Sequence, residues 1–239
     1  MKKNLYISIV IRTYNEEKNI RQVLESINQQ SYNNYEIIIV DSESTDNTVM
    51  IAKEYGAKII HIKKKDFNYS YSSNIGVSNS IGEVVCFLSG HSVPLRNDYL
   101  AILNNVFQDD QVGGCYGDVL ALKDGSLTEK MFNFLGYLKN KFKGQIVEKE
   151  IHPGILSCSN ASIRKEIWNN HQFVEQLGDG GEDVEMAYYI LKNNKKIIFC
   201  PNLIVRHSHG KKFFDFIKEL KKWNLMYKNV LDYIDKSYQ

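Results

Sequence analysis

Short apolar runs alternate with amphipathic stretches through the first part of the chain. Four runs have the length and composition of buried strands in a parallel sheet, at 7–11, 36–40, 58–62 and 84–88. Ile20, Val23, Leu24 and Ile27 recur at the spacing of one helix face, and a second helix is predicted over 46–55. This βαβαβ order predicts right-handed crossovers and a ligand crevice at the carboxyl ends of the strands.

The regularity weakens after Pro94. The remaining pattern predicts a helix over 98–107, a strand over 113–122, a basic and aromatic helix over 127–143, a helix over 183–193, strands at 196–200 and 203–205, and a long terminal helix from about 211. We therefore predict an α/β fold with a Rossmann-like, mostly parallel central sheet flanked by helices. The expected division is 1–93 and 94–210 within one domain, followed by an amphipathic helical segment over 211–239.

Composition excludes several classes of protein. A chain of 239 residues, 43% hydrophobic, can bury a substantial core, and a formal charge of +2 provides no field that would favour nucleic acid as a partner. The four cysteines stand far apart, without the spacing of a zinc site or a disulfide framework, which fits a reducing cytoplasm. The N-terminal apolar run is too short for a signal sequence or a membrane span, so we expect a cytoplasmic protein, soluble or peripheral at the inner face of the membrane.

Polar residues follow three of the predicted strands, at 12–17, 41–46 and 89–92. Such placement suits a nucleotide diphosphate: Asp41 can accept a base N–H, helix N-terminal amides can meet ribose or phosphate, and a metal near His91 can offset the diphosphate charge. Neither G-x-G-x-x-G nor G-x-x-x-x-G-K-[ST] follows the first strand. That absence argues against a dinucleotide enzyme or a P-loop ATPase.

Several motifs together resemble family 2 glycosyltransferases. The segments 9–17 and 40–48 carry the first part of the resemblance, followed in the family's order by 74–76 with 82–83, 160–164 and 181–183. The resemblance extends to about residue 210. It implies an inverting glycosyltransferase of the GT-A fold, with 1–93 as the nucleotide-sugar-binding half and 94–210 as the acceptor half.

The resemblance also implies roles for individual residues. Asp183, with Glu182 beside it, is the expected catalytic base, and the start of a helix is expected to lower its pKa and keep it ionised. The expected donor-binding residues are Thr13, Tyr14, Asn15, Glu16, Asp41, Ser42, Asn74, Ser89 and Gly90. The expected acceptor-binding residues are Asn160 and Arg164.

The expected metal site departs from the family's pattern. Where the family has D-x-D, this chain has Ser89-Gly90-His91, so His91 is the candidate ligand, with His207 and His209 as candidates to complete the coordination. An imidazole ligand favours Mn²⁺ over Mg²⁺, because Mg²⁺ prefers oxygen ligands.

The substrate implied is a UDP- or dTDP-linked hexose or deoxyhexose, transferred to a hydroxyl of a glycan or lipid-linked glycan in bacterial surface polysaccharide synthesis. Two alternatives are a sugar nucleotidyltransferase, whose Gly-rich signature is missing, and a GT-A-like module that binds nucleotide or glycan without turnover. The aromatic and basic C-terminal segment has three interpretations: a helix docked on its own domain, a membrane-surface contact, or a homodimer interface.

Overall fold

The computed structural model describes residues 2–177 and 180–238. Its strands are β1 (Ile7–Thr13), β2 (Tyr35–Asp41), β3 (Lys58–His61), β4 (Val84–Ser89), β5 (Val93–Pro94), β6 (Val112–Leu120), β7 (Ile146–Glu148), β8 (Asn160–Arg164) and β9 (Lys196–Arg206). Its α-helices are α1 (Ile20–Asn28), α2 (Thr48–Glu54), α3 (Tyr69–Ser78), α4 (Tyr99–Val106), α5 (Leu127–Asn140), α6 (Lys165–Asn170), α7 (Glu182–Lys192) and α8 (Phe213–Ser237).

One mixed sheet runs through the molecule in the order β3-β2-β1-β4-β8-β6-β9-β5, with β7 added on β9. The first four strands of that order are parallel, as the apolar runs predict, and their positions are confirmed within two residues. β8 is antiparallel to both β4 and β6, and β6 and β9 are again parallel. The central sheet is therefore parallel from β3 to β4 and mixed beyond β4.

Alternate residues of the strands feed two hydrophobic clusters on opposite faces of the sheet. Ile9 and Ile11 of β1 pack in one cluster with the buried faces of α1, α2 and α4. Val10, between them, packs in the other with residues of α3, α6, α7 and α8. Such two-sided burial explains why these strands are continuous apolar runs rather than alternating ones. The four cysteines are buried free thiols.

Among the elements that differ from the prediction, α3 and β9 bear most on the site. α3 has a polar sequence without helical apolar periodicity, yet its serines at 70, 72 and 73 are buried and Asn68 caps it by accepting hydrogen bonds from the amides of Ser70 and Tyr71. Small side chains bring this helix close to the sheet, and a Cβ on Gly76 would lie 2.3 Å from Cγ1 of Val10. The segments 196–200 and 203–205 form one strand, β9, because a bulge opposite Gly117 and Val119 absorbs the interruption.

Two helices lie largely on the surface. Glu129 is the buried residue of α5, and Val230 and Ile234 are those of the 25-residue α8. Across residues 2–177 and 180–238, no helix has both the length and the apolar character required to cross a bilayer.

Candidate active site and histidine cluster

The candidate site lies at the carboxyl ends of β1, β2 and β4. Thr13 is in register with Asp41 of β2, and Arg12 is in register with Ser89 of β4. The three polar segments that follow these strands therefore meet at one edge of the sheet, as predicted from the strand order.

Side chains tie the loop after β1 to the loop after β2. Asn15, in the left-handed conformation with φ 53°, accepts a hydrogen bond from the amide of Thr45 through its side chain. The amide of Glu16 donates to the hydroxyl of Thr48, which opens α2. These bonds fix the path of the backbone, and the Glu16 side chain lies against Gly90 and His91 at the end of β4.

Asp41 is buried and already partnered. Its carboxylate accepts hydrogen bonds from the hydroxyl of Thr13 at 3.1 Å and from the amide of Ser44 at 3.0 Å, and Nδ1 of His61 lies 3.6 Å away. The adjacent Ser42 Oγ is buried with no hydrogen-bond partner within the described chain. Beside them, Tyr14 is exposed and its hydroxyl accepts a hydrogen bond from Lys64.

His91, His207 and His209 form a cluster whose candidate ligand atoms all lie within 4.8 Å of one another. His207 and His209 follow β9, and the pairing of β5 with β9, with Val93 opposite Arg206, brings them to the loop that holds His91. The rings of His91 and His207 are stacked with their centroids 4.5 Å apart, and the Nε2 atoms of His207 and His209 are 3.2 Å apart.

Two rings of the cluster are oriented by polar neighbours outside it. Nδ1 of His91 lies 2.6 Å from Oε1 of Glu16, and Nδ1 of His207 lies 3.0 Å from the hydroxyl of Ser92. In a neutral His91 ring that donates from Nδ1 to the carboxylate, Nε2 carries a lone pair. That Nε2 is buried and has no partner in the described part of the chain.

The cluster is suited to bind a divalent cation. Burial, together with the charges that neighbouring imidazolium rings would carry, holds the pKa of His207 far below its usual range, and burial also lowers the pKa of His209. Neutral imidazoles within a few ångströms of one another, with an unpartnered buried nitrogen among them, are the donor set of a nitrogen-rich metal site. In such sites the ring nitrogen that does not bind the metal commonly donates a hydrogen bond to a carboxylate, which fixes the orientation of the ring.

The predicted acidic pair lies at the start of α7. Glu182 is buried, and its Oε1 lies 3.5 Å from Nη1 of Arg12, whose side chain also donates to the carbonyl of Tyr69 and the hydroxyl of Ser73. The charge of Arg12 lowers the pKa of both Asp183 and His207, and Ser89, its register partner on β4, has its hydroxyl 3.2 Å from Nδ1 of His207.

The expected lowering of the Asp183 pKa is wrong. Burial, reinforced by the negative charge of Glu182, raises the pKa of Asp183 to about 7. The helix N-terminus and Arg12 act in the opposite direction, but desolvation is the larger effect. A carboxylate with a pKa near neutrality is a better proton acceptor at physiological pH than an ordinary one.

Three expected contact residues are held within the protein scaffold instead. The side chain of Asn74 bonds with Phe173, Glu175 and Trp168, which uses its full hydrogen-bonding capacity. Asn160, beside the site but 2% exposed, donates to the carbonyls of Asp118 and Leu203 and accepts from Tyr99.

Arg164, the other expected acceptor residue, lies away from the candidate site. It is in register with Val84, at the amino end of β4, whereas the candidate site lies beyond Ser89 at the carboxyl end. Its guanidinium donates to the carbonyls of Val112, Phe107 and Asp109, and it therefore fixes the loop before β6 rather than a substrate.

Sequence reasoning missed Arg12 as a site residue. It opens the predicted polar segment 12–17 and lies near the end of β1 in the structure, but its role depends on contacts with α3 and α7, which are distant in the chain. Because α3 is polar and yet buried, its sequence has no apolar periodicity from which these contacts could be predicted.

Comparisons with known proteins agree with the geometry. The fold is that of GT-A glycosyltransferases: the mannosyltransferase PcManGT from Pyrobaculum calidifontis, solved with GDP-Man and Mn²⁺, superposes with a TM-score of 0.63 at 19% identity, covering 88% of this chain and 59% of that one. The model of glycosyl transferase family 2 matches residues 8–171, and the chain belongs to that family.

Two curated relatives extend over most of the chain. The O-antigen chain rhamnosyltransferase RfbN of Salmonella typhimurium is 28% identical over 209 residues, which are 85% of this chain and 67% of RfbN. A dolichyl N-acetyl-α-D-glucosaminyl phosphate 3-β-D-2,3-diacetamido-2,3-dideoxy-β-D-glucuronosyltransferase of Methanococcus voltae is 36% identical over 237 residues, covering 90% of this chain and 70% of that protein. The chain spans only 42% and 22% of two further bacterial relatives.

Proposed function

We propose that this chain transfers a sugar, with inversion, from a nucleotide-sugar donor to a hydroxyl of a glycan or lipid-linked glycan. The observation that carries the proposal is the convergence of Arg12, Glu182, Asp183 and the three histidines at the carboxyl edge of the sheet in a family 2 chain.

Asp183 is the proposed base. Its carboxylate accepts the proton of the acceptor hydroxyl while that oxygen bonds to the anomeric carbon from the side opposite the leaving group. The bond between the anomeric carbon and the diphosphate oxygen breaks, and the nucleoside diphosphate leaves with the electron pair. Glu182, which pairs with Arg12, raises the pKa of the neighbouring Asp183 through its negative charge.

His91, His207 and His209 are the proposed ligands of a divalent cation. When bound, such an ion supplies positive charge opposite the diphosphate that leaves. Imidazole nitrogens favour Mn²⁺ over Mg²⁺ in this position. The proposed donor-binding residues lie at the same edge of the sheet. They are Thr13, Tyr14, Asn15, Glu16, Asp41, Ser42, Ser89 and Gly90.

The donor is proposed to be a UDP- or dTDP-linked hexose or deoxyhexose, used in bacterial surface polysaccharide synthesis. The name of RfbN, an O-antigen chain rhamnosyltransferase, supports a deoxyhexose. Asp41 is the proposed acceptor of the N3–H that uracil and thymine share; in the structure its carboxylate is buried and accepts hydrogen bonds from Thr13 and Ser44.

The proposal is tested by thermal-shift measurements with UDP, dTDP, GDP and CDP, each with and without Mn²⁺, followed by hydrolysis and transfer assays with sugars of the best nucleotide. We expect stabilisation by one pyrimidine diphosphate, turnover of its sugar conjugate, and loss of turnover but not of binding in Asp183→Asn. Stabilisation without hydrolysis or transfer of any donor would favour the alternative of a binding module.

The metal site is tested separately by titration calorimetry with Mn²⁺, Zn²⁺ and Mg²⁺ on the nucleotide-free protein. We expect measurable Mn²⁺ and Zn²⁺ binding, weaker Mg²⁺ binding, and loss of binding in His91→Ala and His207→Ala. His152→Ala is the matched control, because His152 is a partly exposed histidine that contacts Tyr116 and Glu148 away from the cluster. Equal binding by all three histidine variants would refute the assignment.

A further inference from the structure

The apolar stripe of α5 faces solvent. Residues at three- and four-residue spacing lie on one face of a helix, and this face carries Leu127, Met131, Phe134, Leu135 and Leu138, continued by Phe142 just beyond the helix. All six are exposed, from 43% for Leu138 to 88% for Phe142. An amphipathic helix normally buries such a stripe. An exposed one indicates contact with a protein or a membrane outside the described chain.

The first turns of α8 extend the same surface. Phe132 of α5 packs against Phe216 of α8 with ring centroids 4.8 Å apart, so the two helices lie side by side. Phe213, Leu220 and Trp223 share that face of α8 with Phe216 at helical spacing, and all three are exposed. The outer surface of this helix pair, residues 127–143 with 211–228, is here named the α5–α8 surface.

The α5–α8 surface has a net positive charge. It contains ten of the 30 Lys and Arg residues and three of the 28 Asp and Glu residues, one of which, Glu129, is buried. Since the whole chain has a formal charge of +2, the remaining residues are net negative. Lysines beside exposed aromatic and aliphatic side chains are the composition of a helix that lies in the interface of an anionic bilayer.

The surface is fixed to the candidate active site. Ser126 and Glu129 form a capping box at the start of α5, and Oε1 of Glu129 accepts a hydrogen bond of 2.9 Å from the amide of His209. The hydroxyl of Ser126 donates to the carbonyl of Lys211, just before α8. Both helices therefore begin beside the histidine cluster.

We propose that the α5–α8 surface docks on an anionic phospholipid bilayer, with the stripe of α5 in the acyl boundary and the lysines at the headgroups. The charge asymmetry selects lipid over a second copy of this chain, because two such surfaces facing each other would repel. Docking would hold the candidate site at the membrane surface, where the sugar of a lipid-linked acceptor lies.

Vesicle sedimentation tests this proposal with the full chain, and requires no turnover. The vesicles are phosphatidylcholine with and without phosphatidylglycerol. We expect binding to the anionic vesicles, weakened by salt, and a partition coefficient reduced about tenfold or more in the double variant Phe134→Glu, Leu138→Glu. The matched control is Met50→Glu, Ile81→Glu, which adds the same charge at two exposed apolar residues elsewhere and should bind as the wild type does.

A second variant, Lys141→Gln with Lys143→Gln, leaves the apolar stripe intact and should weaken binding to anionic vesicles alone. Unchanged thermal unfolding of each variant establishes that the fold is retained. Absence of binding to anionic vesicles, or equal losses in the stripe variant and its control, would overturn the proposal. Light scattering would also overturn it if the wild type were a dimer, the double variant Phe134→Glu, Leu138→Glu were a monomer, and both bound vesicles equally.

Discussion

Oε1 of Glu16 lies 2.6 Å from Nδ1 of His91. This contact requires a glycine at position 90, directly before His91, for a steric reason. A Cβ on Gly90 would lie 2.5 Å from Cγ of Glu16. The absent side chain at Gly90 therefore lets the Glu16 carboxylate cross the end of β4 and reach the histidine. The sequence Ser89-Gly90-His91 thus supplies both the candidate ligand and the space for the group that orients it.

This contact predicts that Glu16 and Gly90 control metal affinity without touching the metal. In Glu16→Ala, His91 loses the acceptor that fixes its tautomer, and in Gly90→Ala, Glu16 is displaced. We expect Mn²⁺ affinity, measured by calorimetry without nucleotide, to fall by roughly 10–100-fold in each. Glu25→Ala, an exposed glutamate of α1, is the control and should leave the affinity unchanged; a similar fall there would contradict the assignment.

A second prediction concerns the stability of Asp183→Asn. The folded-state pKa of Asp183, about 7, lies above the ordinary value of 3.8, so the folded chain binds more protons than the unfolded chain between these pH values. The cost of charging Asp183 is absent at acid pH and grows as pH rises to about 7. We expect the variant to gain about 4 kcal/mol over the wild type by pH 8 and almost nothing at pH values of about 3 and below.

Denaturant unfolding at several pH values measures this difference. The control is Asp232→Asn, an exposed residue of α8. A stability difference for Asp183→Asn that does not vary with pH would show that Asp183 is charged in the folded state at no cost.

Arg12 predicts the position of the pH–rate profile. Its charge lowers the pKa of Asp183, so Arg12→Gln should raise that pKa and move the acidic limb of kcat/KM to higher pH by about one unit. Arg21→Gln, which breaks a surface pair with Glu54, should leave the limb in place. A change in rate without movement of the limb would limit Arg12 to holding the loop after β1.

Arg164 separates a scaffold role from an acceptor-binding role. Arg164→Met removes hydrogen bonds to three carbonyl groups, and we expect a loss of about 2–4 kcal/mol in the free energy of unfolding. The KM for the acceptor should stay as in the wild type, since the side chain lies at the amino edge of the sheet. A raised acceptor KM with normal stability would restore the interpretation drawn from the family resemblance.

The parallel half of the fold could be predicted because its signals are local. Strands buried on both faces appear as apolar runs, and α1 exposes its helical period through Ile20, Val23, Leu24 and Ile27, all of which are buried. The position of the polar segments then followed from the rule that ligands bind at the carboxyl ends of parallel strands.

The remaining features depend on contacts between distant segments. All three histidines meet in one cluster because β5 pairs with β9. This pairing involves two residues of each strand, too few to give a periodic pattern in the sequence. The pKa of Asp183 depends on burial and on Glu182 and Arg12 together, and the helix-terminus argument alone predicted the wrong sign. Arg164 matched a family motif but lies at the wrong end of its strand.

The same β5–β9 pairing has a consequence for synthesis of the protein. Ser92 and His207, which are in contact, are 115 residues apart in the chain. A ribosome that has released only the parallel half has delivered a single histidine of the three. The cluster can therefore assemble only after β9 and the residues that follow it have been synthesised.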